Sequence, residues 1–480
     1  MRRFSVLDKK RLATVGRFFA LTGLLALTAG EAPAVEPAVP ENKSSVMLSF
    51  APVVKKAAPA VVNVFATRRI KSRTPRLFND KFFEEFFGRS FGRGFNNRER
   101  VQNSLGSGVI VSEDGVVVTN NHVIKGAEAF KVVLSDRREF SAELILADER
   151  TDLAVLKLAT GGETFPALQY RNSDNVQVGD LVLAIGNPFG VGQTVTNGIV
   201  SALARTEVGV TDFQSFIQTD APINPGNSGG ALVTMDGRLL GVNTAIYSRS
   251  GGSVGIGFAI PSKMVQQVVR AALSDGKITR PWIGAELQKV SQSLADTLGL
   301  ARPQGALIVA LHSDSPLKKA GLKSGDVIIA VEDNDVAEPE NLRYRLAVME
   351  IGNKARLTYL RNGNKRTTAF TLVAAPEIPP REKTLLSGEH PLNGVTVGNI
   401  NPAVAEELSL GMKAEGVVVL DVTRASRASR IGMRAGDILL SVNSKRTTQV
   451  SDIVRALQAN VLEWNLEIRR GGRVIRTSLR

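Results

Sequence analysis

The chain has 480 residues, a formal net charge of +14, 43% hydrophobic residues, three histidines and no cysteine. This length and apolar content are sufficient for about three domains, each with its own core. The lack of cysteine excludes disulfides and thiol catalysis, and three histidines scattered along the sequence indicate no metal cluster, so neither a metal nor another cofactor is expected.

The first 34 residues have the layout of a secretory signal peptide. A basic start is followed by an apolar run from Phe18 to Leu27 and by Ala32-Pro33-Ala34, an Ala-x-Ala cleavage signal. Because the apolar run is short for a bilayer span, we predict a cleaved signal and export of the remaining chain. An uncleaved anchor is the alternative. The basic charge favours peripheral contact with anionic membrane surfaces or envelope polymers over nucleic acid.

An unusual insert follows the first predicted strand. Residues 61–65, Val-Val-Asn-Val-Phe, are typical of a strand. Residues 68–104 are then crowded with Arg and Lys and contain seven phenylalanines. Two pairs of these are four residues apart, which predicts a short helix, with a loop as the alternative.

From Gly106 onward, short β-type runs alternate with turn signals in two groups. The predicted strands lie at 109–111, 116–118, 132–134 and 153–158, and then at 181–185, 198–203, 216–218, 231–233, 239–243 and 257–260. Many short strands at this spacing predict antiparallel barrels in place of a parallel sheet crossed by helices. The fold is therefore expected to be mostly β, with two barrels.

A predicted helix at 262–274 separates the barrels from an internal repeat. Residues 320–329 (AGLKSGDVII) match residues 431–440 (IGMRAGDILL), and an Arg-x-Gly turn follows each copy. Two copies of one small module therefore close the chain. The Pro-rich stretch 376–389 is the predicted linker between them.

Three residue types in the barrel region form a serine-protease constellation. Ser228 lies in Gly-Asn-Ser-Gly-Gly, His122 in Thr-Asn-Asn-His and Asp152 in Thr-Asp-Leu. A serine hydroxyl becomes an effective nucleophile only when an imidazole accepts its proton and a carboxylate orients that imidazole. Asp148 competes for the acid, but it lies beside two charged residues and is expected to be solvated, whereas Asp152 directly precedes an apolar strand. The order His, Asp, Ser is that of chymotrypsin-like enzymes, so catalysis by these three residues is predicted.

The sequence around Ser228 also predicts an oxyanion hole and a substrate pocket. Glycine permits a sharp turn in which the N–H groups of Gly226 and Ser228 point together at a developing oxyanion, with Asn227 between them in the same hole. In chymotrypsin-like enzymes the residue six positions before the nucleophile lies near the base of the pocket. The likeness to that class therefore implies Pro222 at the base, with Ile223 and Ile246 as walls. Because these residues offer no carboxylate to Lys or Arg, small or medium aliphatic side chains are expected at the cleavage position.

Six motifs together resemble the HtrA (Deg, or protease Do) family of serine proteases of the bacterial envelope. The motifs are GSGVI at 106–110, TNNHVI at 119–124, TDLAV at 151–155, AIGNPFG at 184–190, residues 219–232, and GIGFAIP at 255–261. The resemblance covers residues 46–480 and is to DegP/DegQ-like members with two PDZ domains. It implies a chymotrypsin-like double-barrel protease domain at 46–275, a PDZ domain at 280–375 (PDZ1), the linker 376–389 and a second PDZ domain at 390–480 (PDZ2).

The resemblance also implies what the repeats bind. PDZ domains capture C-terminal carboxylates or extended segments by adding a strand to a sheet edge. Their carboxylate-binding loops map to Trp282-Ile283-Gly284-Ala285 and Leu392-Asn393-Gly394-Val395, where glycines let N–H groups converge on an anion. The alternative is that one copy, PDZ2 rather than PDZ1, serves only assembly.

Regulation and assembly are implied by the same resemblance. The insert 68–104 resembles a loop that reaches a neighbouring trimer and blocks active sites at rest. The segment from Arg205 to Phe213 resembles a sensor loop, and residues 247–253 stand where an activation loop is expected. Trimers that build larger cages around misfolded periplasmic proteins are implied. Pro225 departs from members that carry Arg there.

These observations predict an ATP-independent periplasmic serine endopeptidase that degrades misfolded envelope proteins, with a role in stress response and with chaperone activity. No phosphate-binding Gly-x-x-x-x-Gly-Lys-Ser/Thr loop occurs in the sequence. One rival is a chaperone or scaffold whose PDZ modules and insert hold unfolded chains, with hydrolysis secondary. Another is nucleic-acid binding by the Arg-rich and Phe-rich insert, against which export argues.

Overall fold

In the computed structural model, two closed β-barrels are followed along the chain by two smaller sheets. The structure describes residues 49–70, 100–187, 192–205, 215–224, 226–246, 253–459 and 461–479. The predicted signal peptide and most of the insert 68–104 lie outside the described residues. Helix α1 (Ala51–Ala57) and a single 3-10 turn (Ala58–Ala60) precede the first strand.

Six strands close the first barrel in the order β1-β2-β3-β6-β5-β4. They are β1 (Val61–Ile70), β2 (Arg100–Ser112), β3 (Val116–Asn120), β4 (Ala129–Val133), β5 (Glu139–Asp148) and β6 (Leu153–Leu158). β1 is twice as long as the predicted strand, because its pairing with β2 continues to Ile70 opposite Arg100. The two ends of the predicted insert are therefore strand.

Six further strands close the second barrel in the order β10-β11-β12-β9-β8-β7. They are β7 (Leu181–Gly186), β8 (Thr194–Arg205), β9 (Phe216–Thr219), β10 (Ala231–Thr234), β11 (Leu239–Ile246) and β12 (Gly257–Pro261). Apolar side chains from alternate positions fill its interior, as in Val182, Ala184 and Leu232. The predicted mostly-β double barrel is confirmed.

One helix joins the protease barrels to PDZ1. Helix α3 (Ser262–Leu273) begins where β12 ends, while the much shorter α2 (Asn121–Ile124) follows β3. Val265 and Val268 of α3 pack with Val116 and Val118 on the outer face of β3, and Tyr344 of PDZ1 joins this cluster. All five residues of β3 are buried for this reason, since Val117 faces the barrel interior. Phe50–Arg480 forms one compact unit.

The two repeats fold into similar antiparallel sheets with three helices each. PDZ1 contains β13 (Ala285–Lys289), α4 (Gln292–Leu298), β14 (Ala306–Leu311), α5 (Pro316–Lys319), β15 (Val327–Val331), β16 (Asn334–Asp335), α6 (Pro339–Ala347), β17 (Lys354–Arg361) and β18 (Asn364–Thr371). PDZ2 contains β20 (Val395–Asn399), α7 (Pro402–Glu407), β21 (Val417–Val422), α8 (Arg427–Arg430), β22 (Ile438–Val442), β23 (Lys445–Arg446), α9 (Val450–Leu457), β24 (Trp464–Arg470) and β25 (Arg473–Leu479).

The linker differs from a plain connection. It contains a strand, β19 (Thr384–Leu386), which pairs with β20 at the edge of the PDZ2 sheet. The PDZ2 sheet runs β19-β20-β21-β22-β24-β25, whereas the PDZ1 sheet begins at β13 with no strand outside it in the described residues. Across those same residues, no helix is both long enough and apolar enough to cross a membrane.

Candidate active site

The three predicted triad residues lie on elements that meet between the barrels. His122 is on α2 at the end of β3, and Asp152 directly precedes β6 with a positive φ of 56°. Ser228 lies in the turn before β10 of the second barrel. Its backbone reaches the first barrel, because the Ser107 N–H donates to the Ser228 carbonyl at 2.9 Å.

The acid and the imidazole are already paired. His122 Nδ1 lies 2.7 Å from Asp152 Oδ2, and the His122 backbone N–H donates to Asp152 Oδ1 at 2.9 Å. The Asp152 carbonyl accepts from the Asn121 N–H at 3.1 Å and from Asn120 Nδ2 at 3.0 Å. The Asp152 carboxylate bonds both the backbone and the ring of His122, and this fixes the orientation of the imidazole. The other ring nitrogen, Nε2, is left to face the nucleophile and the substrate.

Thr244 on β11 connects the nucleophile to the acid. Its hydroxyl donates to Asp152 Oδ2 at 2.7 Å, and its carbonyl accepts from Ser228 Oγ at 3.2 Å. Among the described side chains, no hydrogen bond joins Ser228 Oγ to His122. Proton transfer between them therefore stays a prediction, and it requires the serine hydroxyl to turn away from Thr244.

Ser107, in the first of the six motifs, organises the turn around the nucleophile. Its hydroxyl donates to the Gly226 carbonyl at 2.6 Å and accepts from the Asn187 N–H at 2.8 Å. A side chain at Gly229 would put Cβ 2.1 Å from the Ser107 carbonyl oxygen, so only glycine fits there. Sequence reasoning missed Ser107 and Thr244 as site residues. The available signal for Ser107 was a polar residue between two glycines, directly before the apolar run Val109–Val111.

The turn offers two of the three predicted oxyanion donors. The Asn227 N–H donates to the Asn224 carbonyl at 3.0 Å, so the structure does not make it available to an oxyanion. The N–H groups of Gly226 and Ser228 have no acceptor within the described residues. Gly226 has a φ of 99°, a conformation that favours glycine.

The predicted pocket residues have different environments. Pro222 is exposed, and its carbonyl accepts from Thr196 Oγ1 at 2.8 Å. Ile223 is 1% exposed and packs in the core of the second barrel, so in this conformation it is part of the core and not the wall of an open pocket. Ile246 ends β11, and its side chain lies outside the described residues.

Asp148, the competing acid, is buried instead of solvated. Its Oδ2 accepts from Arg280 Nη2 at 2.5 Å and from Thr151 Oγ1 at 2.5 Å. Burial lowers the pKa of the Arg280 guanidinium, and the Asp148 carboxylate opposes that effect. Asp148 therefore ties the start of PDZ1 to the loop that carries Asp152, and it does not contact His122 within the described contacts.

The predicted PDZ1 loop has the shape that an anion-binding turn requires. Gly284 has a φ of 57°, and a Cβ there would lie 2.7 Å from the Trp282 ring. The Ile283 carbonyl accepts from Ser315 Oγ at 2.6 Å, and the Gly284 carbonyl accepts from the His312 N–H at 2.8 Å. The N–H groups of Ile283 and Gly284 have no acceptor within the described residues, so they are available to a ligand.

The predicted PDZ2 loop has a similar turn. Gly394 has a φ of 88°, and a Cβ there would lie 2.3 Å from Ser426 Cβ. Leu392 and Val395 are both buried in the PDZ2 core, and the Asn393 N–H donates to the His390 carbonyl at 3.1 Å.

The remaining predicted sites are only partly described. Arg205 is the last residue of β8 and pairs with Phe216, but its side chain and the rest of the predicted sensor loop lie outside the described residues. Most of the predicted activation loop 247–253 also lies outside them, as does Pro225. In the part of the chain that is described, no group of three or more His, Cys, Asp or Glu residues could hold a metal ion.

Family models match three separate parts of the chain. A trypsin-like peptidase domain matches residues 106–242, and PDZ domains match residues 281–372 and 418–470.

Similar proteins extend the match to most of the chain. A probable periplasmic serine endoprotease DegP-like from Brucella melitensis biotype 1 is 38% identical over 475 residues, which cover 93% of this chain and 91% of the relative. One of the same name from Marinomonas sp. is 40% identical over 419 residues, covering 85% and 87%. Among solved structures, the HtrA-type protease AlgW with a decapeptide is 41% identical with a TM-score of 0.51, covering 69% of this chain and 100% of its own.

Proposed function

The chain belongs to the HtrA family of DegP-like serine endoproteases, and on this premise we propose that it cleaves unfolded periplasmic proteins with Ser228, His122 and Asp152, without ATP. The observation that carries the proposal is the bond between His122 Nδ1 and Asp152 Oδ2 at 2.7 Å, joined through Thr244 to Ser228. The periplasm is proposed from the export signal in the sequence and from the printed names of the relatives.

In the proposed mechanism, Ser228 Oγ attacks the scissile carbonyl carbon while His122 accepts the hydroxyl proton. The carbonyl electron pair moves to oxygen, where the N–H groups of Gly226 and Ser228 stabilise it. The intermediate then expels the amine, which takes the proton from the imidazolium, and water releases the acyl group by the same route. Asp152 holds the ring throughout.

Aliphatic residues are the proposed cleavage sites. Pro222 and Ile246 would border the pocket, and Ile223 would do so only if it moved out of the core. A pocket without a carboxylate does not compensate the burial of a Lys or Arg charge. Unfolded chains expose the aliphatic side chains that folded proteins bury, so this preference would select for unfolded substrates.

The same proposal includes three further properties. They are peptide capture by the PDZ modules, assembly into trimers and larger oligomers, and a holding activity toward unfolded chains. The free N–H groups at Gly284 support peptide capture by PDZ1. AlgW is named with a decapeptide, which makes a bound peptide a property of that relative. A Ser228→Ala variant that still suppresses aggregation of an unfolded protein would separate holding from cleavage.

Casein cleavage by the purified full chain tests the enzyme. We expect Ser228→Ala and His122→Ala each to lower kcat/KM by roughly a thousandfold or more, because nucleophile and base act as one unit. Ser274→Ala is the matched control, since Ser274 is an exposed serine away from the site. Equal cleavage by the parent and by Ser228→Ala, or cleavage that depends on ATP, would contradict the proposal.

A further inference from the structure

Strand β19 occupies the edge of the PDZ2 sheet at which a peptide would add. Its residues Thr384, Leu385 and Leu386 pair antiparallel with Val397, Thr396 and Val395. β20 follows directly from the predicted carboxylate-binding loop 392–395. Strand addition needs an uncovered edge, and this edge is covered by the chain's own linker.

The end of β19 takes the place of a peptide's last residue. The Gly394 N–H, in the predicted carboxylate-binding loop, donates to the Leu386 carbonyl at 2.9 Å. The Leu386 side chain is 3% exposed and packs in the PDZ2 core with Val395, Val450 and Ile453. Leu385, one residue earlier, points away and is 57% exposed. The buried leucine and the bonded carbonyl are what a C-terminal leucine would supply.

Asn399 and Asn401 fix residues 377–381 of the linker to PDZ2 by hydrogen bonds. Asn399 donates from its backbone N–H to the Arg381 carbonyl at 2.7 Å and from Nδ2 to the Pro380 carbonyl at 2.9 Å. Asn401 Nδ2 donates to the Pro379 carbonyl at 2.8 Å and to Glu377 at 2.7 Å. These bonds hold residues 377–381, which lead toward β19, against PDZ2.

Helix α9 lies along the other side of the strand. Val450, at its first turn, donates its N–H to Asn399 Oδ1 at 2.8 Å. A cleft of about 470 Å³ remains between β19 and α9, lined by Thr384, Val450, Val454 and Gln458. β19 therefore lies in the groove between β20 and α9, and not on a remote edge.

Among the residues that the structure describes, PDZ1 has no such strand. β13 is the first strand of its sheet, and the segment before it runs elsewhere, since the Trp282 N–H donates to the Val373 carbonyl at 2.8 Å. Ile283 and Leu287 are partly buried against the PDZ1 core. In the described residues, no strand outside β13 brings a leucine to PDZ1 in the way that β19 brings Leu386 to PDZ2.

We infer that the peptide groove of PDZ2 is closed by the chain's own Thr384-Leu385-Leu386, which imitates a peptide ending in leucine, and that PDZ1 is the module open to peptides. The inference rests on the proposed peptide capture by PDZ domains. It also assigns a ligand class to the PDZ2 groove. The ligands are C-terminal peptides whose last residue is leucine and which have a small polar residue two positions before it. A peptide with this C-terminus would bind only after β19 leaves the groove. Its apparent affinity is therefore lower than its intrinsic affinity, by the fraction of molecules whose groove is open.

The test uses the full chain carrying Ser228→Ala, so that no peptide is cut. The probe is acetyl-Glu-Lys-Thr-Leu-Leu with a free carboxylate, compared with its C-terminal amide. Leu386→Asp places a charge in the buried position, Leu386→Ala is the milder variant, and Leu385→Asp is the matched control at the exposed neighbour. Calorimetry counts the bound peptides. Hydrogen exchange monitors the amides of 394–399 that donate to the linker, among them those of Gly394 and Asn399, and, as a measure of folding, the amides of β22.

We expect one peptide per chain in the parent and in Leu385→Asp, and two in the Leu386 variant that keeps β22 protected. In that variant, the amides that donate to the linker should lose protection without peptide and regain it with peptide. The second site should bind more than tenfold more tightly than in the parent. One peptide per chain in a folded Leu386 variant, or two in the parent while the amides that donate to the linker stay protected throughout, would overturn the inference.

The proposed function fails in a distinguishable way. If the peptide binds nowhere, peptide capture is wrong, yet exchange of the amides that donate to the linker still reports whether β19 covers β20. If Ser228 is not the nucleophile, casein cleavage persists in Ser228→Ala while the peptide count is unchanged.

Discussion

PDZ1 and PDZ2 share their internal bonds and differ at one edge. In PDZ1 the buried Asp326 accepts two bonds from Arg361, whose Nη2 also donates to the Gly321 carbonyl. In PDZ2 Asp437 and Arg470 form the same fork, with an equivalent bond to a glycine carbonyl. The repeated sequence thus builds one fold twice. The residues that precede each repeat decide whether its groove is open.

The modules also differ in how they contact the protease barrels. Asp174 accepts from Arg345 of PDZ1 at 2.7 Å and also pairs with Lys263 of α3. Tyr344, the residue before Arg345, is buried against α3, and this burial raises the pKa of its phenol. PDZ2 contacts the barrels through an ion pair: Nη2 of Arg150, in the first barrel, lies 3.4 Å from Oε1 of Glu406 in PDZ2. The module with the open groove is therefore the one packed against the helix that covers β3 and β6.

The largest effect is expected from the shared forks. Asp326→Asn and Asp437→Asn each leave an arginine without its carboxylate partner, and both acids are 1% exposed. We expect each change to destabilise its own module by about 2 kcal/mol, because a buried carboxylate loses its charge-assisted bonds while the arginine, 21% or 32% exposed, stays partly solvated. The two tryptophans, Trp282 in PDZ1 and Trp464 in PDZ2, report each module separately in urea unfolding once the other is replaced by Phe.

The control for this prediction is Asp333→Asn, since the Asp333 side chain is 89% exposed. It should change stability by less than about 0.5 kcal/mol. A loss in one module only would show that the two forks are not equivalent.

A smaller effect should separate the two grooves. Gly284→Ala and Gly394→Ala both add a Cβ at a positive φ and within 3 Å of a neighbour, so each should destabilise its module by about 1–3 kcal/mol. Only Gly284→Ala should weaken peptide binding by the resting protein, by more than tenfold, because the groove beside Gly394 is already filled. Fluorescence anisotropy with a labelled peptide measures this. An equal loss of binding in both variants would mean that both grooves are open.

Local patterns predicted the barrels, the repeat and the glycine turns because each depends on residues close in sequence. Alternating Val and Leu with turn signals is enough for antiparallel strands. The motifs likewise predicted His122 and Asp152 as a pair. Strand β19 was missed because three residues within a Pro-rich stretch carry no periodicity, and their partner strand begins nine residues later.

The roles of Ser107 and Thr244 could not be predicted for a different reason. Ser107 bonds Gly226, which is 119 residues away, and Thr244 bonds Asp152, which is 92 residues away. A hydroxyl inside a strand is common, and only the packing of one barrel on the other gives these two their partners. The burial of Asp148 depends in the same way on Arg280, 132 residues later.

The smallest effect concerns the helix beside each groove. In PDZ2 the N3 residue of α9 is Asp452, whose carboxylate accepts from the Thr448 N–H and hydroxyl and from the Gln449 N–H, and these bonds lower the pKa of Asp452. In PDZ1 the N3 residue of α6 is Asn341, which does not titrate. A carboxyl with a lowered folded pKa stabilises fully above its unfolded pKa of about 3.9, and this contribution is lost as pH falls through the folded pKa.

We therefore expect acid, as the pH falls below about 3.9, to weaken α9 by about 0.5–1 kcal/mol, the usual contribution of such a cap. The same acid should weaken α6 less. Hydrogen exchange of α9 amides, followed with falling pH in the parent and in Asp452→Asn, measures the difference. The variant should exchange faster than the parent at pH 6, and the difference between the two rates should shrink as the pH falls below about 3.9. If instead the two exchange with the same pH dependence, Asp452 is not the group that titrates, and the two groove helices respond to acid alike.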